Sequence, residues 1–414
     1  MSLFDDAADV AGAAGDMLQQ GADQLDNLAG QLGDAVGGLA DSATNALGLS
    51  QPKRPACQLL LAGRDITAKL EPLLMSLTLT DNRGFEADQL DIVLDDSGGQ
   101  LDIPERGVTI SLAIGWTGAA LVDKGSYIVD EVEHTGAPDT LTLRARATDL
   151  RAGIATKREK SWHKTTLGAI VKAIAKANGL TPAIPTWLAR QKVEHIDQTS
   201  ESDANLLTRL AKQYDAVATV KSGRLVFCKA GDAETVTGHP FPACLILRQS
   251  GDNHRFSVAD RNAYTAVKAY WHDTRGAKKG EVIVNKDTKF ERRATVTKLG
   301  RKSKRTKLTA IQAKGIEPSS ENIKVLRHVY VSEATATQGA KAAWQKLQRG
   351  VAEFSITLAE GRPELFPELP AQVQGFKPVI DATGWVLKKV THQLGDGGYT
   401  TALELEARLE DMAG

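Results

Sequence analysis

The sequence lacks the signatures that usually betray chemistry. It contains no G-x-S-x-G elbow, no Walker phosphate loop, no G-x-G-x-x-G after a strand and no H-E-x-x-H. Nucleophile-elbow hydrolases, phosphate-loop nucleotidases, dinucleotide-dependent oxidoreductases and zincin proteases are excluded on that ground. Only three cysteines occur, Cys57, Cys228 and Cys244, widely spaced and without a C-x-x-C pair. Neither a disulfide framework nor a zinc knuckle can be read from them, and they are expected as buried free thiols in a reducing compartment. Aromatic residues make up only 5% of the chain. No apolar run approaches the roughly 18 residues of a membrane span, and the N-terminus has no basic leader. The first fifty positions contain no Lys or Arg at all.

Charge is present in quantity but divided unevenly. The 51 basic and 51 acidic residues cancel over 414 positions. Residues 1–50 hold eight Asp, a charge of −8, whereas residues 275–307 hold thirteen Lys and Arg against three acids, about +10. A neutral total hides two oppositely charged extensions. The length suits two or three domains, and a 42% hydrophobic content suits a well-cored protein.

In the acidic segment Leu18, Leu25, Leu32 and Leu39 recur every seven residues, which predicts an amphipathic helix that ends at the linker prolines Pro52 and Pro55. Its eight glycines make such a helix marginal without partners. It reads as a self-associating bundle, a docking element for another protein, or a disordered tail; its negative charge argues against an anionic membrane.

From Cys57 the period becomes two. Met75-Leu77-Leu79, Leu90-Ile92-Leu94, Val108 through Trp116, and Leu141-Leu143-Ala145 alternate with polar residues between turn clusters such as Asp81-Asn82-Arg83-Gly84. Short strands so spaced predict a β-barrel or sandwich over 56–155. A capped helix follows, with Thr165 or Thr166 at its start, Leu167, Ile170, Val171 and Ile174 on its inner face and Gly179 at its end. Ser202 and Asp203 open a second helix with Leu206, Leu207, Leu210 and Ala211 inside. Gly223 closes a hairpin between Val217–Val220 and Leu225–Phe227. Together these make an α+β unit over 156–232. Strands resume near Leu245 and at 264–271, a helix is predicted at 334–349, and strands at 351–358, 384–392 and 399–409. The second β domain thus spans 233–414, with the basic tract 275–323 as a long hairpin or loop inserted in it. The fold class is α+β, mainly β: two β domains, an α+β insertion and an N-terminal helical extension.

His163 and His195-x-Asp197 lie near the α+β unit, but no second ligand stands at metal spacing along the chain. Asp130, Glu131 and Glu133 end a strand; alternation puts Glu131 and Glu133 on one wet face, where a solvated edge or a salt bridge outweighs a glycosidase pair. The basic tract, Arg292-Arg293 through Arg301-Lys302-Ser303-Lys304-Arg305-Thr306-Lys307, could meet nucleic acid or an acidic protein surface, or be a solvated loop. Only Phe290 supplies an aromatic nearby.

Ordered blocks of sequence carry a resemblance. The stretch His195 to Phe227, with Gln198-x-x-Glu201-Ser202-Asp203 leading into a helix and hairpin, resembles the late control D family of contractile-phage baseplate hubs, and the hub part of VgrG is similar here. Further blocks run from Gly63-Arg64-Asp65-Ile66-Thr67 and Leu74 to Leu90, through Val129–His134 and Ser161–Ile170, to Asp260–Thr265 and Lys346–Ile356. Coverage is about 57–411. The chain departs from VgrG-like hubs where an aromatic is common near Leu206-Leu207 and a glycine near Asp215. The resemblance implies a trimeric hub in which each chain presents two similar β-barrels, so that three chains match a sixfold tail tube and a threefold spike. It implies a homotrimer that joins the spike protein to the tail tube or its initiator, with the tape measure protein as a partner for the N-terminal helix and DNA only in transit. The expected place is the virion baseplate, after assembly in the host cytoplasm. It implies no catalytic, cofactor-binding or metal-binding residue, and no cofactor; a tail-associated cell-wall hydrolase is the alternative.

Overall fold

The computed structural model describes residues 53–148, 153–221, 223–231, 241–258, 264–273, 276–296, 302–311, 322–349 and 352–408. The chain divides into Met1–Arg54 and Pro55–Gly414, and the described fold belongs to the second unit. The expected N-terminal helix lies outside the described residues.

The protein is mainly β. Its first part holds β1 (Pro55–Leu61), β2 (Arg64–Asp65), β3 (Leu74–Asn82), β4 (Gln89–Asp95), β5 (Thr109–Trp116), β6 (Val122–Thr135) and β7 (Thr140–Ala147). The alternation read in the sequence is the alternation of burial: Leu90, Ile92 and Leu94 of β4 and Ile110, Leu112 and Ile114 of β5 are all buried. Each such side chain contributes about 1.5–3 kcal/mol relative to exposure. All successive neighbours in this unit pair antiparallel, in the order β3-β4-β7-β6-β5-β1.

The middle part holds β8 (Lys157–Thr166), α1 (Leu167–Ala177), β9 (Thr181–Ala183), β10 (Lys192–Ser202), α2 (Asp203–Tyr214), β11 (Ala216–Lys221) and β12 (Arg224–Lys229). Thr166 caps α1 by accepting the Ala169 amide at 3.2 Å, and Gly179 beyond it takes φ 67°. Gly223 turns the β11–β12 hairpin at φ 70°. The inner faces of the two helices share one core with Val220, Leu225 and Phe227.

The last part holds β13 (Cys244–Leu247), β14 (Gly251–Val258), β15 (Ala266–Asp273), β16 (Lys278–Val284), β17 (Lys289–Val296), β18 (Lys302–Ile311), β19 (Ile323–Tyr330), α3 (Glu333–Arg349), β20 (Ala352–Leu358), β21 (Pro370–Gln374), β22 (Trp385–Gly395) and β23 (Gly398–Ala407). One 13-stranded sheet runs β14-β20-β23-β22-β3-β4-β7-β6-β5-β1-β2, with β21 branching from β22 and β13 beyond it. The two β regions are therefore joined by backbone: β22 pairs with β3 from Lys389 opposite Asn82 to Gly395 opposite Ser76. Leu394 and Tyr399, from the C-terminal strands, complete the first core. A separate core, with Trp385, Phe354, Leu387 and Leu403, lies on the other side of the joint.

The reading of 275–323 as one inserted hairpin or loop needs correction. Val282 and Val284 alternate inward on β16, which pairs with β15 and belongs to a three-stranded sheet with β19. Only β17 and β18 form a hairpin, in register from Lys289 opposite Ile311. These strands and α3 enclose a core of their own, with Phe290, Tyr330, Ala340 and Trp344. The physical reason is that β16 buries Val282 and Val284 while Lys278, Lys279 and Glu281 stay exposed, so high charge conceals the period.

Candidate functional site

The stretch Gln198 to Asp203 is a polar knot. Gln198 and Asp203 are both buried, and the Gln198 amide donates to Asp203 Oδ1 at 2.8 Å. Asn178, just beyond α1, donates to Asp203 Oδ2 at 3.2 Å, and Arg158 of β8 lies 3.3 Å from the same oxygen. Ser202 caps α2 by accepting the Asn205 amide at 3.2 Å, and Glu201 pairs with Arg209 at 2.6 Å. The signature thus ties β8, α1, β10 and α2 together. Its contacts are those of a brace, with Asp203 held by Gln198, Asn178 and Arg158.

His163 and His195 are brought together by β8 and β10, where they stand directly opposite. Their Nδ1 atoms are 2.9 Å apart and their rings stack with centroids 4.6 Å apart. Asp197 Oδ2 lies 2.9 Å from His195 Nε2, and Ser161 donates to Asp197 Oδ1 at 2.6 Å. The order of contacts is Ser–Asp–His–His. The Ser161 hydroxyl faces the carboxylate and not an imidazole, so the order of a Ser–His–Asp triad is not present here. Glu131 and Glu133 both face Arg144, at 2.7 and 3.3 Å, and Asp130 pairs with Arg146 at 3.0 Å. These carboxylates form exposed salt bridges across β6–β7, as their alternation suggested. Cys57, Cys228 and Cys244 are in no disulfide; of the three expected to be buried only Cys244 is, the other two being half-buried, and burial pushes the Cys57 thiol up to about 11.

A network of buried charges joins α2, α3, β23 and the turn after β3. Arg349, at the end of α3, donates through Nη1 to Asp215 Oδ2 at 2.6 Å and through Nη2 to Oδ1, while its Nε lies 3.5 Å from Glu406 of β23. Arg83, after β3, reaches the same Glu406 oxygen at 2.5 Å and pairs with Glu368. Glu368 also accepts the Gly231 amide at 2.9 Å. Burial raises the Glu368 carboxyl above its usual range despite the Arg83 charge beside it. A second cluster flanks it: Lys221 of β11 donates to Asp81 at 2.7 Å and to Asp88. Burial outweighs the Lys221 charge there and pushes Asp88 up to about 6. Asp215 adopts φ 52° as the residue that ends α2. Helices commonly place glycine at that position; here the carboxylate is retained and meets Arg349.

Known proteins match this chain. The family model for the phage tail baseplate hub (GPD) matches residues 89–398. The chain is 49% identical over 366 residues to the probable baseplate hub protein of Escherichia phage 186, covering 86% of this chain and 94% of that one. To the corresponding protein of Escherichia phage P2 it is 48% identical over 365 residues, with the same shares covered. The chain belongs to the phage tail baseplate hub family. It is a baseplate hub protein of a phage virion tail. Among solved structures, the tail protein from Neisseria meningitidis MC58 shares its fold with a TM-score of 0.59 at 16% identity, over 86% of this chain and 97% of that one.

For a hub the residues that matter are those that hold parts together, and sequence reasoning missed them. Arg83, Asp215, Arg349, Glu368 and Glu406 come from five separate segments; Arg83 and Glu406 are 323 positions apart. The one usable signal was the aspartate where a glycine is common. Among the described residues β13 and β14 are edge strands of the large sheet, with Leu245 and Val258 exposed on them. Beside β13, Trp116, Ser250, Glu360 and Arg362 line a groove of about 680 Å3. Among the described residues no helix is long and apolar enough to cross a membrane.

Proposed function

We propose that this hub acts without catalysis, as a homotrimer whose chains each contribute two β-barrels to a ring that joins the tail tube to the central spike of a contractile tail. The observation that carries this reading is the single sheet that runs through both β regions, with seven strands on the β3 side of the β3–β22 joint, six on the β22 side and a separate core on each. Six strands at roughly 20–25° of twist per pair accumulate over 100°, enough to curl each half around its own core. Two similar units on each of three chains would present six to the tube and three to the spike, which removes the symmetry mismatch between them. A shared sheet would carry load from one unit to the other through backbone hydrogen bonds.

The edge strands β13 and β14 suit pairing between copies, and the exposed Val258 and Leu245 suit an apolar rim. An obligate trimer would bury roughly 2,000–5,000 Å2 at such interfaces. The β17–β18 hairpin, which carries the basic tract, is assigned to acidic surfaces on neighbouring tail proteins, and residues 1–50 to self-association or to the tape measure protein. Sedimentation of the purified hub, alone and with its spike protein, tests the proposal. A stable trimer that binds spike is expected; a monomer that binds neither spike nor tube overturns it.

A further inference from the structure

The His163–His195 pair takes no part in the junction, in any core or in the proposed assembly, yet it is built with care. The two residues occupy the same register position on β8 and β10. Trp162 and Ile196 beside them, also register partners, pack against the α+β core and anchor the ribbon, while both imidazoles face outward. Asp197 fixes the chemistry of His195. A carboxylate can only accept, so the hydrogen on His195 sits at Nε2, 2.9 Å from Asp197 Oδ2, and Nδ1 keeps its lone pair. The hydrogen between the two Nδ1 atoms then belongs to His163. Ser161 donates to Asp197 Oδ1 at 2.6 Å and holds the carboxylate in place against His195.

We propose that His163 and His195 form a two-imidazole chelate for a divalent transition-metal ion of the zinc, nickel or copper class, with Asp197 orienting His195 from behind. Binding moves the shared hydrogen of His163 to its Nε2 and turns both Nδ1 lone pairs on one ion. Metal–nitrogen bonds of about 2.0–2.1 Å in tetrahedral geometry set the two nitrogens about 3.4 Å apart, so the two nitrogens must part by about half an ångström from their 2.9 Å separation and the near-parallel rings must tilt toward one ion. The arrangement carboxylate–imidazole–metal is the one that fixes tautomer and raises ligand basicity in metal sites. Among the described residues no group of three or more side chains encloses an ion. The chelate is therefore open, and its remaining positions would be filled by water or by a side chain of a neighbouring tail protein. The site goes beyond the structural role proposed above and does not depend on it.

The test is calorimetric titration of the full chain, free of any histidine tag, with zinc chloride alone, repeated with cobalt to follow its visible absorption. One saturable site per chain is expected. His163→Ala and His195→Ala should each weaken it at least tenfold, and Asp197→Asn by roughly tenfold, the loss typical of a removed orienting carboxylate. The three side chains are exposed, and thermal melts of the variants should match the parent. Nitrogen-15 spectra of the metal-free chain should show His195 with its hydrogen on Nε2. Absence of a saturable site up to 1 mM zinc, or unchanged affinity in the double histidine variant, would overturn the proposal.

Discussion

Replacing Asp215 is the sharpest perturbation of the junction. Asp215 and Arg349 are each only 6% exposed, and the guanidinium makes a two-pronged pair with the carboxylate. Taking one partner from a buried pair leaves the other charge uncompensated, at a cost of about 3–5 kcal/mol. In Asp215→Ala the Glu406 carboxylate, 3.5 Å from Arg349 Nε and shared with Arg83, is the nearest remaining partner, so the loss should fall near the lower end, about 3 kcal/mol. Asp215→Gly removes the same carboxylate but relieves the positive φ, which costs an L-residue roughly 1–2 kcal/mol, so it should be milder than alanine by about 1 kcal/mol. Arg349→Met added to Asp215→Gly should recover part of the loss, because the orphaned charge is gone. Urea denaturation followed by tryptophan fluorescence, with hydrogen exchange at the end of α3, reads these three variants together with Arg349→Met alone, which completes the cycle. An alanine variant within 1 kcal/mol of the parent, or strict additivity in the double variant, would refute the reasoning.

Three further outcomes are expected. A Cβ at Gly361 would fall on the Tyr399 ring, where Gly361 also accepts from Trp116 Nε1 at 2.9 Å; Gly361→Ala should cost roughly 1–3 kcal/mol by overpacking, visible as a lowered melting temperature. Trp385→Ala, at a fully buried position, should cost about 3–5 kcal/mol in the same assay. Burial, helped by the nearby Lys124 charge, pushes the His392 imidazole down to about 3, so its contribution is complete above about pH 6.5 and is lost as pH falls toward 3. Asp88 runs the other way: its carboxyl is raised, so its contribution is complete below about pH 4 and is lost as pH rises through about 6. His392→Gln should flatten the acid loss of stability between pH 6.5 and 4, and Asp88→Asn should steepen it. Urea midpoints at pH 7, 5.5 and 4 decide this, and unchanged slopes in both variants would contradict it.

What could be read from sequence was whatever repeats within a few residues. The two-residue period of β4 and β5, the Thr166 and Ser202 caps and the Gly223 turn all stand where their chemistry required. Long-range pairing was hidden. Nothing local says that β22 lies against β3, since both strands read as ordinary half-buried strands and their partnership is settled by the shared core that Leu394 and Tyr399 complete. β16 was masked by its lysines, although Val282 and Val284 already showed the period. His163 and His195, 32 positions apart, appeared solitary because β8 and β10 were not recognised as a ribbon. The alternation of Ser161 with His163, and of His195 with Asp197, was the signal that could have found them.

A reconstruction of the tail tip by electron cryo-microscopy tests the central claim most directly. The account expects three copies of this chain around the axis, six β units in one ring against the tube, and a continuous β3–β22 seam within each copy. A ring with one β unit per chain, or a hub in which β3 and β22 part on assembly, would contradict it.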